Sequence, residues 1–473
     1  MESKSEVGII GLGTMGRNLL LNVSDNGFGV SGYDINKAQV QLTLDEKRAN
    51  AFATSDLKEF VASLNKPARI IMLVPAGKIV DLVIADLKPL LSPGDIIIDG
   101  GNSYYKDTNR RYQELKDTKL HFMGMGVSGG ESGARTGPSI MPGGDEEAYH
   151  AIEPVLNAIA AKSNGEACAQ YMGNGSAGHY VKMVHNGIEY GMMQIIAEAY
   201  GMMRHVAHHS NTTIADFFEH CSQDMLSGYL IESAIIVLRK KDDLAEGDLL
   251  DHVEDAAKSK GTGKWTSQDA MDLQVPVPTI DMAVMTRDLS SWIDLRNTLM
   301  SPDVSFTHHK TDISEAKLQR AIYCAFLLDY TQGLHQIAQA SKSYEYNTDL
   351  GKVIRNWRAG CIIRSSLLPL LDQAHQSSPE ADHLLQNKEL YAETIKYLPD
   401  LHYIVNISLE SGYPLPCMQS ALTYFQMLSS GALGQNMIQG LRDHFGAHTY
   451  ERSDREGIYH IDWETDGKST KIK

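Results

Sequence analysis

Residues 182–190 read Lys-Met-Val-His-Asn-Gly-Ile-Glu-Tyr. Lys182, His185, Asn186 and Glu189 fall at i, i+3, i+4 and i+7, positions that share one face of an α-helix. The surrounding positions are apolar: Val181, Met183, Val184, Ile188, Met192, Met193, Ile195 and Ile196. A helix with apolar flanks and an amine, an imidazole, an amide and an acid along one line suits the wall of a cleft. The alternative is a solvated stripe on a surface helix. Lys182 and Glu189 sit two turns apart, about 10 Å along the axis at ~1.5 Å per residue. A substrate of five or six carbons fits between a base at one end and an acid at the other.

A second constellation is Gly11-Leu12-Gly13-Thr14-Met15-Gly16, preceded by the β-branched run Val7–Ile10 and followed by an apolar helical pattern from about Asn18 to Asp25. In a strand–turn–helix context, Gly11 allows the tight turn and Gly13 lets a pyrophosphate approach the backbone. Gly16 lets helix and strand pack closely, and the helix N-terminus offers N–H groups and its positive dipole end. Asp34 follows Gly16 by 18 positions, at the end of the next expected strand. A carboxylate there accepts hydrogen bonds from the adenosine ribose hydroxyls of NAD and repels the 2′-phosphate of NADP. Its neighbours Ile35 and Asn36 bring no cation, although Lys37 is close enough to soften the argument. Asp34 equally suits a cap on the following turn.

These residues need a scaffold. Short apolar strands are expected at Phe28–Asp34, Ile70–Val74 and Asp95–Asp99, alternating with helical patterns. That alternation predicts a doubly wound parallel sheet of the Rossmann type. Gly124–Gly144 reads as irregular loop. From about residue 177 helical patterns dominate, including Lys182–Val206, Ser314–Ser341 and Leu350–Gln373, to about residue 445. The last segment, 447–473, is polar and without periodicity, and reads as a tail that packs on another surface or stays mobile. The expected fold class is α/β plus all-α: a dinucleotide-binding domain at 1–176, a helical domain at 177–446 and the tail at 447–473.

A chain of 473 residues supports two or three domains with a large core. A net charge of −16 argues against a nucleic-acid surface, and it requires local cationic pockets for any anionic substrate. Cysteines 168, 221, 324, 361 and 417 form no CxxC or metal spacing, so core thiols in a reducing compartment are expected. The opening residues lack the apolar region of a secretory signal, and no apolar run approaches the ~18 residues of a membrane span. A cytoplasmic location without a membrane partner is the expectation. His205, His208 and His209 cluster without nearby acids or cysteines, which favours a solvated face over a metal site. Lys468, Lys471 and Lys473 are too few for a nucleic-acid patch.

Taken together, the chain resembles the decarboxylating 6-phosphogluconate dehydrogenases over nearly its whole length. The resemblance is carried by the Gly11–Gly16 loop, Asp99-Gly-Gly-Asn-Ser103, Gly126-Val-Ser-Gly-Gly-Glu131 and Gly137-Pro-Ser-Ile-Met-Pro-Gly-Gly144. It continues through Lys182–Tyr190, Lys260-Gly-Thr-Gly-Lys-Trp265, Gly360-Cys-Ile-Ile-Arg-Ser365 and Arg442-Asp-His-Phe-Gly-Ala-His448. It implies oxidation of 6-phosphogluconate at C3, loss of CO2 and formation of ribulose 5-phosphate. Lys182 matches the family's base and Glu189 its acid, and the chemistry needs no metal. Asn102, Ser128, Gly129, Gly130, His185 and Asn186 would hold the carboxylate and hydroxyl groups, although the two glycines read as well as a structural turn. Tyr190, Lys260, Thr262, Arg287 and Arg442 would hold the phosphate, and His448 would also touch substrate; singly, each phosphate residue looks like an ordinary surface residue. The cofactor would lie on the Gly11–Gly16 loop, Asp34, Ile35, Asn36, Val74, Pro75, Ala76 and Asn102. The resemblance further implies a homodimer whose C-terminal segment reaches the neighbouring active site.

The departures are informative. NADP-using members usually carry Asn-Arg followed by Ser or Thr where this chain has Asp34-Ile35-Asn36, and Lys where it has Pro75. The expected cofactor is therefore NAD, with NADP the alternative. Met125 replaces a smaller residue and has no functional reading. Two rivals remain: a β-hydroxyacid dehydrogenase that releases no CO2, and a dinucleotide-binding protein without turnover. The helical second half, the Lys260–Trp265 loop and the Arg442–His448 segment argue against the first. Retention of both Lys182 and Glu189 argues against the second.

Overall fold

The computed structural model describes residues 4–300, 311–465 and 467–473. Strands β1 (Val7–Ile10), β2 (Val30–Tyr33), β3 (Ala51–Thr54), β4 (Arg69–Met72), β5 (Ile96–Asp99), β6 (His121–Ser128) and β7 (Ser139–Gly144) form one sheet in the order β3-β2-β1-β4-β5-β6-β7. Neighbours are parallel except β6 and β7. Parallel pairs need crossovers, and helices supply them: α1 (Thr14–Asp25), α2 (Lys37–Leu44), α3 (Leu57–Ala62), α4 (Lys78–Leu87) and α5 (Tyr105–Lys116). Ile9, Ile71, Ile98 and Met123 point into a core shared with α1, while Ile10, Ile70, Ile97 and Phe122 point into a second core shared with α3, α4 and α5. Burial on both faces is why these strands read as continuous apolar runs. Met125 lies fully buried in the first core, so its role is packing.

Gly124–Gly144 is not irregular loop, as its composition suggests. It is most of β6, helix α6 (Gly130–Thr136) and β7, an antiparallel pair running Met123–Ser128 against Ser139–Gly144. The glycines hide the strand pattern because another element sits directly on them. After α7 (Glu146–Ile159), helix α8 (Ala177–Gly201) packs onto β6 and β7 at backbone distance. A Cβ on Gly178 would lie 2.2 Å from the Gly124 carbonyl oxygen, and one on Gly126 would lie 2.3 Å from Lys182 Cβ.

The helical part continues through a π-helical turn at Met202–Val206, then α9 (Asn211–Ser222), α10 (Tyr229–Arg239), α11 (Thr262–Asp272), α12 (Pro278–Ser290), α13 (Ile293–Leu299), α14 (Glu315–Ser343), α15 (Leu350–Asn356), α16 (Leu368–Ser377), α17 (Lys388–Ser411), α18 (Pro416–Ser429) and α19 (Gln435–Gly446). The expected helix Leu350–Gln373 is broken between α15 and α16. Asn356 spends its amide on Ser139 Oγ (3.0 Å) and the Ile140 carbonyl (2.9 Å). Gly360 then turns with φ +65° so tightly that a Cβ there would lie 2.6 Å from the Gly137 carbonyl oxygen.

The fold divides into two compact units, Met1–Ala421 and Leu422–Lys473. Within the second unit, residues 447–473, read from their sequence as a tail without periodicity, hold regular structure. Strands β8 (Tyr450–Glu451), β9 (Ile458–Ile461) and β10 (Ser469–Lys471) form an antiparallel sheet whose strands are too short to show periodicity. Buried Asp443 of α19 anchors it, accepting from Thr449 N (3.0 Å), His460 Nδ1 (2.8 Å), Ile461 N (3.1 Å) and Trp463 Nε1 (3.1 Å).

Candidate active site

The loops that leave β1, β4 and β5 meet at the carboxyl edge of the sheet, where open α/β sheets bind ligands. Gly11 has φ +91°, and a Cβ there would lie 2.5 Å from the Leu73 carbonyl oxygen. A Cβ on Gly16 would lie 1.7 Å from the Gly11 carbonyl oxygen. Gly13 differs: it is exposed, a Cβ would meet nothing within 4 Å, and it heads α1 with no side-chain cap on the helix N–H groups. This uncapped N-terminus, approachable down to the backbone, fits a dinucleotide pyrophosphate. Thr14 is exposed and Met15 half-buried beside it, whereas the Leu12 side chain lies in the core.

Asp34 caps the following turn, as one of its two readings expected, and also holds the glycine loop. Its Oδ2 accepts the Leu12 N–H (2.7 Å), bracing the glycine loop, and its Oδ1 accepts the Asn36 N–H (2.8 Å), forming the turn cap. Each carboxylate oxygen keeps a further lone pair for a hydroxyl. Ile35 is 83% exposed and Asn36 caps α2 through Ala38 N (3.0 Å). Val74, Pro75 and Ala76 follow β4, with Val74 close to Gly11 and Gly101. Exposed Asn102 sits on the β5 loop. Buried Asp99 shapes that loop by accepting from Ser103 Oγ (2.6 Å) and Gly101 N (3.1 Å).

The stripe on α8 is not solvated. Lys182 is 7% exposed, His185 fully buried and Asn186 buried, with Glu189 half-open. Lys182 Nζ donates to Asn186 Oδ1 (2.7 Å) and lies 3.2 Å from His185 Nδ1, which is itself 3.7 Å from Glu189 Oε2. Burial lowers the Lys182 pKa from the usual lysine range, against the opposing pull of Glu189 and Cys361. Burial raises that of Glu189, with Lys182 and Arg287 pulling the other way. Desolvation therefore favours a neutral amine and a neutral carboxylic acid on one helix face.

Ser128, at the end of β6, places Oγ 3.2 Å from His185 Nε2. Gly129 (φ +113°) and Gly130 (φ +62°) follow in left-handed conformations, so the turn itself requires them, and a Cβ on Gly130 would meet nothing within 4 Å. Directly after Glu189, the Tyr190 ring carries the Arg287 guanidinium 3.6 Å from its centroid. Helix α11 starts at Thr262 against the same ring: a Cβ on Gly263 would lie 2.6 Å from Tyr190 Cδ2. Lys260 is exposed in the preceding loop. Tyr190, Thr262 and Arg287 thus gather at one end of the stripe. Arg442 and His448 belong to the second unit, both exposed, with Arg442 donating to Gln439 Oε1 (3.1 Å).

Two groups escaped the sequence reading. Cys361, in the segment between α15 and α16, places Sγ 2.8 Å from His185 Nε2, although only its motif and not its thiol stood out in the sequence. Asp269 of α11 is buried and accepts from the hydroxyls of Tyr105, Tyr180 (2.5 Å) and Tyr344 (2.8 Å), tying α5, α8 and α11 together. Nothing local in the sequence pairs these distant residues. Of the histidine cluster, His205 and His208 are exposed, and His205 stacks on Tyr413 with centroids 5.7 Å apart.

A dinucleotide-binding sheet joined to a helix with a buried lysine and a partly exposed carboxyl group defines a nicotinamide-dependent dehydrogenase. The family model described as the NAD binding domain of 6-phosphogluconate dehydrogenase matches residues 6–173, and that of the 6-phosphogluconate dehydrogenase C-terminal domain matches 178–463. The chain is 43% identical over 471 residues to the decarboxylating 6-phosphogluconate dehydrogenase of Lactococcus lactis subsp. lactis, covering 98% of this chain and all of the relative. It is 42% identical over 467 residues to the NADP(+)-dependent, decarboxylating enzyme of Bacillus subtilis, covering 98% and 99% of the two chains. The Plasmodium falciparum 6-phosphogluconate dehydrogenase, solved in apo form and in complex with NADP+ and with 6-phosphogluconate, superposes with a TM-score of 0.92 at 38% identity, over 97% of this chain and 100% of that one. The chain belongs to the 6-phosphogluconate dehydrogenase family.

Proposed function

We propose that this chain oxidises 6-phosphogluconate at C3 and decarboxylates it to ribulose 5-phosphate, with Lys182 as the base and Glu189 as the acid. The observation that carries the assignment is the pair itself: two groups on one helix face, both desolvated toward their neutral forms. Neutral Lys182 takes the C3 hydroxyl proton. The nicotinamide, when bound, accepts the hydride. The electrons of the C1–C2 bond then move toward the C3 carbonyl as CO2 leaves. The Lys182 ammonium formed in the first step stabilises the charge that develops on that oxygen. Protonated Glu189 delivers a proton to the carbon that lost CO2. Asn102, Ser128, Gly129, Gly130, His185 and Asn186 hold the carboxylate and hydroxyl end. Tyr190, Lys260, Thr262 and Arg287 hold the phosphate, with Arg442 and His448 supplied by a second copy.

The preferred cofactor is NAD, held by the Gly11–Gly16 loop, with Val74, Pro75, Ala76 and Asn102 along its course. The Asp34 carboxylate meets the ribose hydroxyls, and positions 35, 36 and 75 offer no cation to a 2′-phosphate. This sets the chain apart from the B. subtilis relative, named NADP(+)-dependent. With 6-phosphogluconate as substrate, kcat/KM should be about ten- to a hundredfold higher with NAD, the ~1.4–3 kcal/mol expected of one like-charge contact. A higher kcat/KM with NADP overturns this preference and points to Lys37 or a loop movement as the phosphate partner.

The domains follow the same reading: 1–176 binds dinucleotide, 177–446 binds substrate and pairs subunits, and 447–473 reaches the partner. Support for pairing comes from α19, where Met437, Ile438, Leu441 and Phe445 leave an apolar stripe exposed beside Arg442. Sedimentation equilibrium at micromolar concentration should return twice the chain mass. A monomer that turns over substrate at full rate contradicts the exchange of Arg442 and His448.

A further inference from the structure

We propose that Cys361 is a positioning residue: its thiol donates to His185 Nε2 and so fixes the imidazole with its proton on Nδ1, turned toward the Lys182 amine. The proposal rests on the reading of Lys182 as the base. The two ring nitrogens face different company. Around Nδ1 stand Asn186 Oδ1 (3.2 Å), Lys182 Nζ (3.2 Å) and Glu189 Oε2 (3.7 Å). Asn186 Oδ1 can only accept, so a proton on Nδ1 is satisfied there. Around Nε2 stand Cys361 Sγ (2.8 Å) and Ser128 Oγ (3.2 Å). Ser128 already accepts the Ile362 N–H (3.3 Å), and its hydroxyl accepts as readily as it donates, so it imposes no direction. A thiol bonds weakly in both roles, but a bare imidazole nitrogen is a far better acceptor than a thiol sulfur, so the short Sγ–Nε2 contact points to S–H donation. The buried Trp357 ring stands edge-on to the imidazole at 5.9 Å between centroids and restrains its rotation.

Burial keeps the imidazole and the thiol neutral: His185 is pushed well below the usual histidine range and Cys361 up to about 12. The titratable groups around Lys182 are then His185 and Glu189 from its own helix and Cys361 from the segment after α15. Arg287 of α12 acts on Glu189. Tyr330 of α14 lies near Cys361 but spends its hydroxyl on the Ile363 carbonyl. An Nδ1–H can be accepted by a neutral amine and not by an ammonium. The tautomer therefore favours the form of Lys182 that acts as a base. Without the thiol, the ring can carry its proton on Nε2 and give it to Ser128. Bare Nδ1 then accepts from an ammonium, and Lys182 holds its proton to higher pH.

The test is the pH dependence of kcat/KM for 6-phosphogluconate in the wild type, Cys361→Ala and Cys361→Ser, with thermal unfolding as a control for folding. Cys361→Ala should move the acid limb up by about one pH unit, the size of one hydrogen bond. Cys361→Ser, whose hydroxyl can donate or accept, should recover only part of that shift. An unmoved limb in Cys361→Ala overturns the proposal. Should Cys361→Ala fail to fold, Cys361→Ser and the wild type decide through the imidazole 15N shifts of histidine-labelled protein. These shifts need no turnover, so they also separate this proposal from the reading of Lys182. Protonated Nδ1 and bare Nε2 on His185 support it, and the reverse overturns it.

Discussion

Replacing Lys182 with Met should lower kcat and kcat/KM together by about a thousand- to ten-thousandfold. Two contributions are removed at once: proton transfer from the C3 hydroxyl, worth about 10²–10⁴, and stabilisation of the developing charge on the C3 oxygen, worth about 10²–10³. Effects of one residue acting twice are not multiplicative, which sets the lower figure. Both contributions belong to the transition state, so KM should change far less than kcat. Lys182→Arg separates them. Arginine keeps the positive charge but holds its proton at any working pH, so it cannot serve as the base. It should remain close to Lys182→Met in oxidation of 6-phosphogluconate. Steady-state rates with saturating cofactor read both variants; an arginine variant near wild-type rate would remove Lys182 from the proton-transfer step.

Glu189→Gln should cost about a hundred- to ten-thousandfold in turnover, but in a later step. Glutamine keeps the shape and the hydrogen-bonding capacity and loses the transferable proton. Lys182 is intact, so reduced cofactor should form in the first turnover and then stall, visible as a burst in stopped-flow absorbance. A variant that loses hydride transfer itself, with no burst, would show that Glu189 acts earlier. The pH profile gives a second reading. Lys182 works only when neutral, so activity falls as pH drops through its lowered pKa. Glu189 works only when protonated, so activity falls as pH rises through and beyond its raised pKa. Glu189→Gln should keep the acid fall and lose the alkaline one.

Much of this site was legible in the residues. Helical spacing placed Lys182, His185, Asn186 and Glu189 on one face, and the α8 helix brings them into hydrogen-bonding and charge contact. The strand–turn–helix around the glycine loop was legible because Gly11 and Gly16 answer steric demands of that geometry, while Gly13 leaves the helix N-terminus open. What failed to read were features set by packing. Gly124–Gly144 has the composition of a loop because α8 lies on its backbone at distances only glycine allows. The break between α15 and α16 depends on Asn356 meeting Ser139, a partner 217 residues away. That break carries Cys361 to His185, and no local pattern announces it. The sheet of 447–473 was invisible because its strands have two to four residues.

The most direct test of the account is stoichiometry. With wild-type protein, 6-phosphogluconate and NAD in excess, CO2 release and reduced cofactor are measured in the same reaction. One CO2 for each reduced nicotinamide is the predicted result. Reduced cofactor without CO2 would make the chain a simple hydroxy-acid dehydrogenase. Neither product would remove Lys182 and Glu189 from the reaction assigned to them.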